Sequence, residues 1–135
     1  MTLGWIARAG DGGSGDPPAA WLMPLLGDAA VGLAAIAVAV VMWTRPAPLT
    51  WAAAIAWSAI AAFDAVAAFI VDTQAPWPEF FMLELFGRMM FFAAAALHVA
   101  IIWLLTRSTV RLHFGVAGDH LARANEGRQM GLQAN

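Results

Sequence analysis

The sequence predicts an all-α integral membrane protein, a bundle of three transmembrane helices. Two observations predict this class. Hydrophobic residues make up 61% of the 135 residues and the mean hydropathy is +0.70, which is more apolar surface than a soluble domain of this size can bury. Three apolar segments, residues 21–43, 51–71 and 80–106, are each long enough to cross a hydrocarbon core of about 30 Å.

Residues 1–20 precede the first apolar segment. The stretch from Gly10 to Pro18 consists mainly of glycine, proline and aspartate. Because such a composition neither packs into a core nor enters lipid, we predict a flexible, mildly acidic tail. The chain has no apolar stretch of a cleavable secretory signal ahead of Trp21, so we expect no such signal.

The first two predicted helices carry one charge each. Asp28 is the only charge of helix 21–43, which ends at a loop, residues 45–48, whose two prolines cannot continue it. Asp64 is the only charge of helix 51–71. Both aspartates therefore lie inside segments that are otherwise apolar enough for lipid.

The third predicted helix is longer and carries more polar groups. It follows a turn, residues 72–79, whose two prolines and two carboxylates we expect to face the outer medium. Helix 80–106 exceeds a perpendicular crossing, so Glu84 in its first turns is predicted to stand near the lipid headgroups. Arg88 and His98 are predicted to lie deeper.

The distribution of arginine predicts the orientation. Four of the seven arginines lie in the tail 107–135, against one each in the N-terminal tail and the first loop. Since basic segments stay on the cytoplasmic side, we expect a multi-pass protein of the cell membrane, such as the bacterial inner membrane, with its N-terminus outside and its C-terminus in the cytoplasm. Residues 110–124 have apolar side chains at helical spacing, and both an interfacial helix and a disordered segment are compatible with them.

Three intramembrane charges are predicted to reach one depth. Counted from the tryptophan at the inner end of each helix, Asp28, Asp64 and Arg88 all lie roughly 20 to 22 Å away. Because charges in lipid pair with one another and face the bundle interior, we predict that Arg88 bridges the two aspartates. Glu84, one turn before Arg88, is an alternative partner that would leave the aspartates less compensated.

The predicted cluster has two interpretations, because two carboxylates and one guanidinium leave one negative charge uncompensated. One is a clamp that fixes the order and rotation of the helices, since burial alone forces such charges to pair. The other is a site at which one aspartate holds a proton or a cation.

His98 is the only histidine within the predicted helices. Its simplest role is a hydrogen bond to Ser58, which we place at a similar depth, or to a helix carbonyl. The alternative is axial ligation of haem or of a chlorophyll, with room beside the ring provided by neighbouring alanines. A six-coordinate haem needs a second ligand, and the predicted helices offer no other histidine, so no cofactor is predicted.

Several function classes have no support in the sequence. A Walker loop, a dinucleotide fingerprint, a zinc-protease motif and a plausible serine triad are all lacking, so no catalytic residue is predicted and the protein is expected not to be an enzyme. The absence of cysteine excludes thiolate chemistry and Cys-ligated metal. No metal site is predicted, and the positive patch is too modest for nucleic acid.

Three functional hypotheses follow for so small a membrane protein. The first is an accessory or self-assembling membrane subunit that forms a homo-oligomer or joins a larger membrane complex and uses its charges as a clamp. The second is a small oligomeric transporter or channel coupled to protons or ions. The third is a membrane anchor that binds haem or pigment at His98. The lipid bilayer is the partner common to all three.

Overall fold

The computed structural model describes residues 2–11, 16–77 and 81–116. Within these ranges the chain is all-helical and has no strand, which confirms the predicted all-α class. The helices are α1 (Thr2–Arg8), α2 (Leu22–Thr44), α3 (Pro48–Gln74), α4 (Phe81–Phe86), α5 (Met89–Leu105) and α6 (Ser108–His113), and a 3-10 turn (Ala19–Trp21) leads into α2.

Helix α3 is the centre of the bundle, because it packs against α2 on one side and against α5 on the other. It runs from Pro48 to Gln74, three residues beyond the predicted helix at each end. Proline is compatible with the first helical position, where its missing N–H breaks no hydrogen bond. At the other end the helix includes Asp72, which is buried rather than part of an exposed turn.

The predicted third helix is divided into α4 and α5 by a break at Gly87 and Arg88. Gly87 has a φ of +60°, in the left-handed region that glycine adopts at low cost. Its N–H bonds to the carbonyl of Leu83 at 2.8 Å and so closes α4, as glycine does after the last turn of many helices. Arg88 then precedes the first residue of α5.

Two helical segments of the described chain are long and apolar enough to cross a membrane. These are Ala19–Thr44, with 26 residues, and Pro48–Gln74, with 27. Helix α5 is apolar but has only 17 residues. Many large apolar side chains of these helices point outward, among them Leu33, Phe63 and Leu97, which are 70%, 74% and 60% exposed.

The N-terminal segment differs from the predicted flexible tail. Residues 2–8 form α1, and Trp5 and Ile6 pack against the end of the bundle that holds Trp21 and Trp77, called here the Trp77 end. The Trp5 and Trp77 rings meet edge to face with centroids 5.1 Å apart. An ion pair of 3.1 Å between Arg8 and Asp16 brings the chain back towards α2. The prediction considered the glycine-rich stretch and overlooked the apolar anchors ahead of it.

Three tryptophan side chains hold the long helices together by hydrogen bonds to backbone carbonyls. Trp21 donates its indole N–H to Ala75 at 2.7 Å, at the Trp77 end. Trp57 on α3 donates to Val31 on α2 at 3.0 Å. Trp51 donates to Leu105, the last residue of α5, at 2.8 Å. The helices are thus fixed to one another at both ends and in the middle.

Candidate functional site

A cavity of about 190 Å³ lies where α2, α3 and α5 meet. Its lining is mostly apolar and contains two carboxylates and one imidazole. The lining residues are Trp21, Pro24, Leu25, Asp28, Val31, Ala61, Asp64, Ala65, Ala68, Met90, Phe91, Ala94 and His98.

Asp64 of α3 lies directly against the backbone of α2. A Cβ atom built on Gly27 would overlap Oδ1 of Asp64 and come within 3.0 Å of its Cγ. The absence of a side chain at Gly27 therefore lets the half-buried carboxylate of Asp64 fit against α2. No ion pair or hydrogen bond of this carboxylate is found in the described part of the chain.

Asp28 lines the same cavity from α2, one residue after Gly27. It is exposed in the isolated bundle, and the two carboxylates are close enough to repel each other when both are ionised. Asp28 and Asp64, which the sequence predicted at one depth, thus both line this cavity. The cavity lining includes no basic side chain other than His98.

Arg88 does not bridge the two aspartates. Its Nε donates to Oδ2 of Asp72 at 2.6 Å, and its Nη2 donates to the carbonyl of Asp72 at 3.4 Å. The residue count predicted the depth of the Cα atom of Arg88, but the guanidinium group lies at a different depth. A helical side chain inclines towards the helix N-terminus, and at the start of α5 this direction leads away from the cavity and towards the Trp77 end.

Asp72 is the partner of Arg88 that sequence reasoning missed. Its side chain is 2% exposed and Arg88 is its partner, whereas the prolines after it placed it in an exposed turn in the prediction. Glu84, the other predicted partner of Arg88, belongs to α4, and its side chain lies outside the described residues. The predicted four-residue cluster is thus divided into a carboxylate pair in the cavity and an ion pair at the Trp77 end.

His98 lies in the cavity wall on α5. Its ring meets the Trp57 ring edge to face with centroids 5.2 Å apart, and its Nδ1 is buried without a hydrogen-bond partner in the described chain. Ser58 is fully buried, and its Oγ likewise has no partner there. The predicted hydrogen bond between Ser58 and His98 is therefore not formed.

The dimensions of the cavity bear on the predicted haem or chlorophyll ligation at His98. A cavity of 150 Å³ in another protein holds benzene, so about 190 Å³ admits one small ring and little more. A porphyrin macrocycle, with four such rings, does not fit inside it. Trp57 donates to Val31 and touches His98, and so contacts two residues of the lining.

No protein-family model, curated protein sequence or solved structure matches this chain. The function is therefore inferred from the cavity and the side chains around it.

Replacing Gly27 by alanine tests the contact between α2 and Asp64. We expect Gly27→Ala to displace the carboxylate and to lower the free energy of unfolding in detergent by about 1 to 3 kcal/mol, the usual cost of overpacking. Gly32→Ala is the matched control, because nothing lies within 4 Å of its Cβ position. It should be neutral, or stabilising by up to about 1 kcal/mol through helix propensity. Equal effects of the two substitutions would contradict the described contact.

Replacing Arg88 by leucine tests which aspartate it pairs with. We expect Arg88→Leu to cost up to about 3 kcal/mol, the lower end of the range for breaking buried ion pairs, because Arg88 is 55% exposed. In a double-mutant cycle followed by unfolding in detergent, Arg88→Leu should be coupled to Asp72→Asn and additive with Asp64→Asn. Coupling to Asp64 instead of Asp72 would restore the bridge that the sequence predicted.

Proposed function

We propose that this protein is a three-pass protein of the cell membrane whose cavity binds a proton or a small cation and moves it across the bilayer. In this proposal α2, α3 and the segment from α4 to α5 are the crossings. The N-terminus lies outside and the C-terminal tail in the cytoplasm, according to the distribution of arginine.

The outward faces of the long helices support the membrane location. Only 6% of the most apolar part of Ala19–Thr44 is buried in the protein, and 22% of that of Pro48–Gln74. A core helix of a soluble protein would be mostly buried, whereas side chains such as Phe63 and Leu97 are exposed here. Lipid is the solvent that such faces require. At 17 residues, α5 is within the range of about 17 to 25 residues that span a bilayer.

The observation that carries the transport proposal is the meeting of Asp28 and Asp64 in one cavity without an arginine or lysine. Asp28 and Asp64 line one cavity, and in the proposed membrane location two such carboxylates are not both stable as anions. They hold a proton or a cation between them, and the cost of leaving them uncompensated in lipid makes such pairs typical of ion pathways. The imidazole of His98 lines the same cavity.

The clamp interpretation has less support, because Arg88 is engaged by Asp72. An accessory or self-assembling role is a second candidate, because α2 leaves a large apolar surface without a partner in a single chain. This helix packs on α3 along one side, and most of its remaining surface is apolar and unpartnered in a single chain. A second copy or another membrane subunit would cover that surface. A native mass measurement in mild detergent distinguishes a homo-oligomer, a mixed complex and a monomer.

Flux measurements in reconstituted vesicles test the transport proposal. We expect wild-type protein to carry a proton or cation flux under an imposed pH gradient or potential. Asp64→Asn should reduce this flux at least tenfold, because it removes the charge that binds the ion at the centre of the cavity. Asp11→Asn is the matched control, since Asp11 is exposed and lies outside the cavity. Wild-type vesicles without flux across a range of pH and potential, or an Asp64→Asn variant with full flux, would contradict the proposal.

A further inference from the structure

We infer that the cavity binds a small organic ammonium ion, with its charged nitrogen beside Asp64 and Asp28 and its hydrocarbon part against Trp21 and Phe91. The inference rests on the proposed function and names the chemical class of the cation. It depends on three features of the cavity, which are its aromatic end, its set of ligand atoms and its volume.

The aromatic end of the cavity is preorganised. Trp21 and Phe91 are 3% and 5% exposed, and their ring centroids are 6.4 Å apart with the planes tilted by 36°. The N–H of Trp21 is engaged with the carbonyl of Ala75, which fixes the indole. Aromatic faces attract an organic cation within about 6 Å, most strongly where water is excluded. The cavity therefore has two nearly buried aromatic residues in the same lining as its two carboxylates.

The ligand atoms favour an ammonium ion over a metal ion. A hard metal cation such as calcium or magnesium takes about six or more oxygen ligands. The side chains of the lining offer four carboxylate oxygens from Asp28 and Asp64, and the rest of the wall is apolar apart from His98. The described residues also contain no group of three acidic, histidine or cysteine side chains arranged to hold a metal ion. An ammonium ion needs only one or two carboxylates and gains from the apolar wall.

The volume of the cavity limits the size of the ion that it can bind. At about 190 Å³ the cavity exceeds by a small margin one that holds benzene. It admits an ammonium group with a compact apolar part, and it excludes large polyaromatic cations. The charge of the site is compatible with a monovalent ion, because one monovalent cation and one proton together neutralise the two carboxylates.

Binding of choline, used as a quaternary-ammonium probe without an ionisable proton, tests the inference. Calorimetry on the full-length protein in detergent should show choline binding at least tenfold more tightly than dimethylbutanol, its uncharged carbon isostere. Asp64→Asn should abolish this preference.

A matched pair of phenylalanine substitutions tests the aromatic wall. Phe91→Leu removes a ring of the lining and should weaken choline binding about fivefold to thirtyfold, the range expected for a cation over a desolvated ring. Dimethylbutanol binding should weaken by a smaller factor, because this ligand loses only the apolar contact with the ring. Phe92→Leu is the control, because Phe92 is the next residue, is 51% exposed and does not line the cavity. Equal effects of the two substitutions on choline binding would overturn the aromatic assignment.

Two results separate this inference from the proposed function. Choline that binds no more tightly than dimethylbutanol, in a protein whose flux still depends on Asp64, overturns the ammonium class and leaves proton or inorganic-cation transport in place. A flux that does not depend on Asp64, together with choline binding that survives Asp64→Asn, overturns both.

Discussion

Hydrogen bonds from tryptophan side chains to backbone carbonyls of neighbouring helices are the interaction on which the rest of the structure depends. In the proposed membrane location no hydrophobic force drives helices together, so packing and interhelical hydrogen bonds hold them. Trp21 and Trp51 donate to Ala75 and Leu105, at the C-terminal ends of α3 and α5, where carbonyls have no partner within their own helix. Trp57 donates to the second lone pair of a carbonyl within α2. These bonds fix the separation of the helices. The lining of the cavity includes Trp21 and the two residues that Trp57 contacts, Val31 and His98.

The arrangement of charges follows from this frame. Gly27 lets α2 approach α3 at the level of Asp64, which brings the carboxylate of Asp64 into the cavity together with Asp28. The break at Gly87 starts α5 at a point from which Arg88 reaches Asp72. One basic group thus neutralises the buried carboxylate at the Trp77 end, and the pair in the cavity is left without a basic partner. We attribute the proposed ion binding to this division, because an arginine in the cavity would have satisfied both aspartates permanently.

The sequence was sufficient for the helical class. Counting residues from the tryptophans put Asp28 and Asp64 at one depth, and both line one cavity, because both lie in unbroken helices and have short side chains that stay near their backbone level. The same count failed for Arg88, whose long side chain carries its charge about one helical turn away from its Cα. Asp72 was assigned to a turn because prolines follow it, and only its contact with Arg88, distant in sequence, explains why it is helical and buried. Helix α1 was missed for a related reason, since Trp5 and Ile6 are stabilised by residues far along the chain.

The proposed function requires that Asp28 and Asp64 form one site for a proton or a small cation. Infrared spectroscopy of the protein in lipid nanodiscs, at neutral pH and without added organic cations, measures this directly through the carbonyl stretch of protonated carboxyl groups. The account predicts one such band, which disappears in Asp64→Asn and persists in Asp11→Asn. A spectrum without a protonated carboxyl band, or a band that survives both Asp28→Asn and Asp64→Asn, would contradict it.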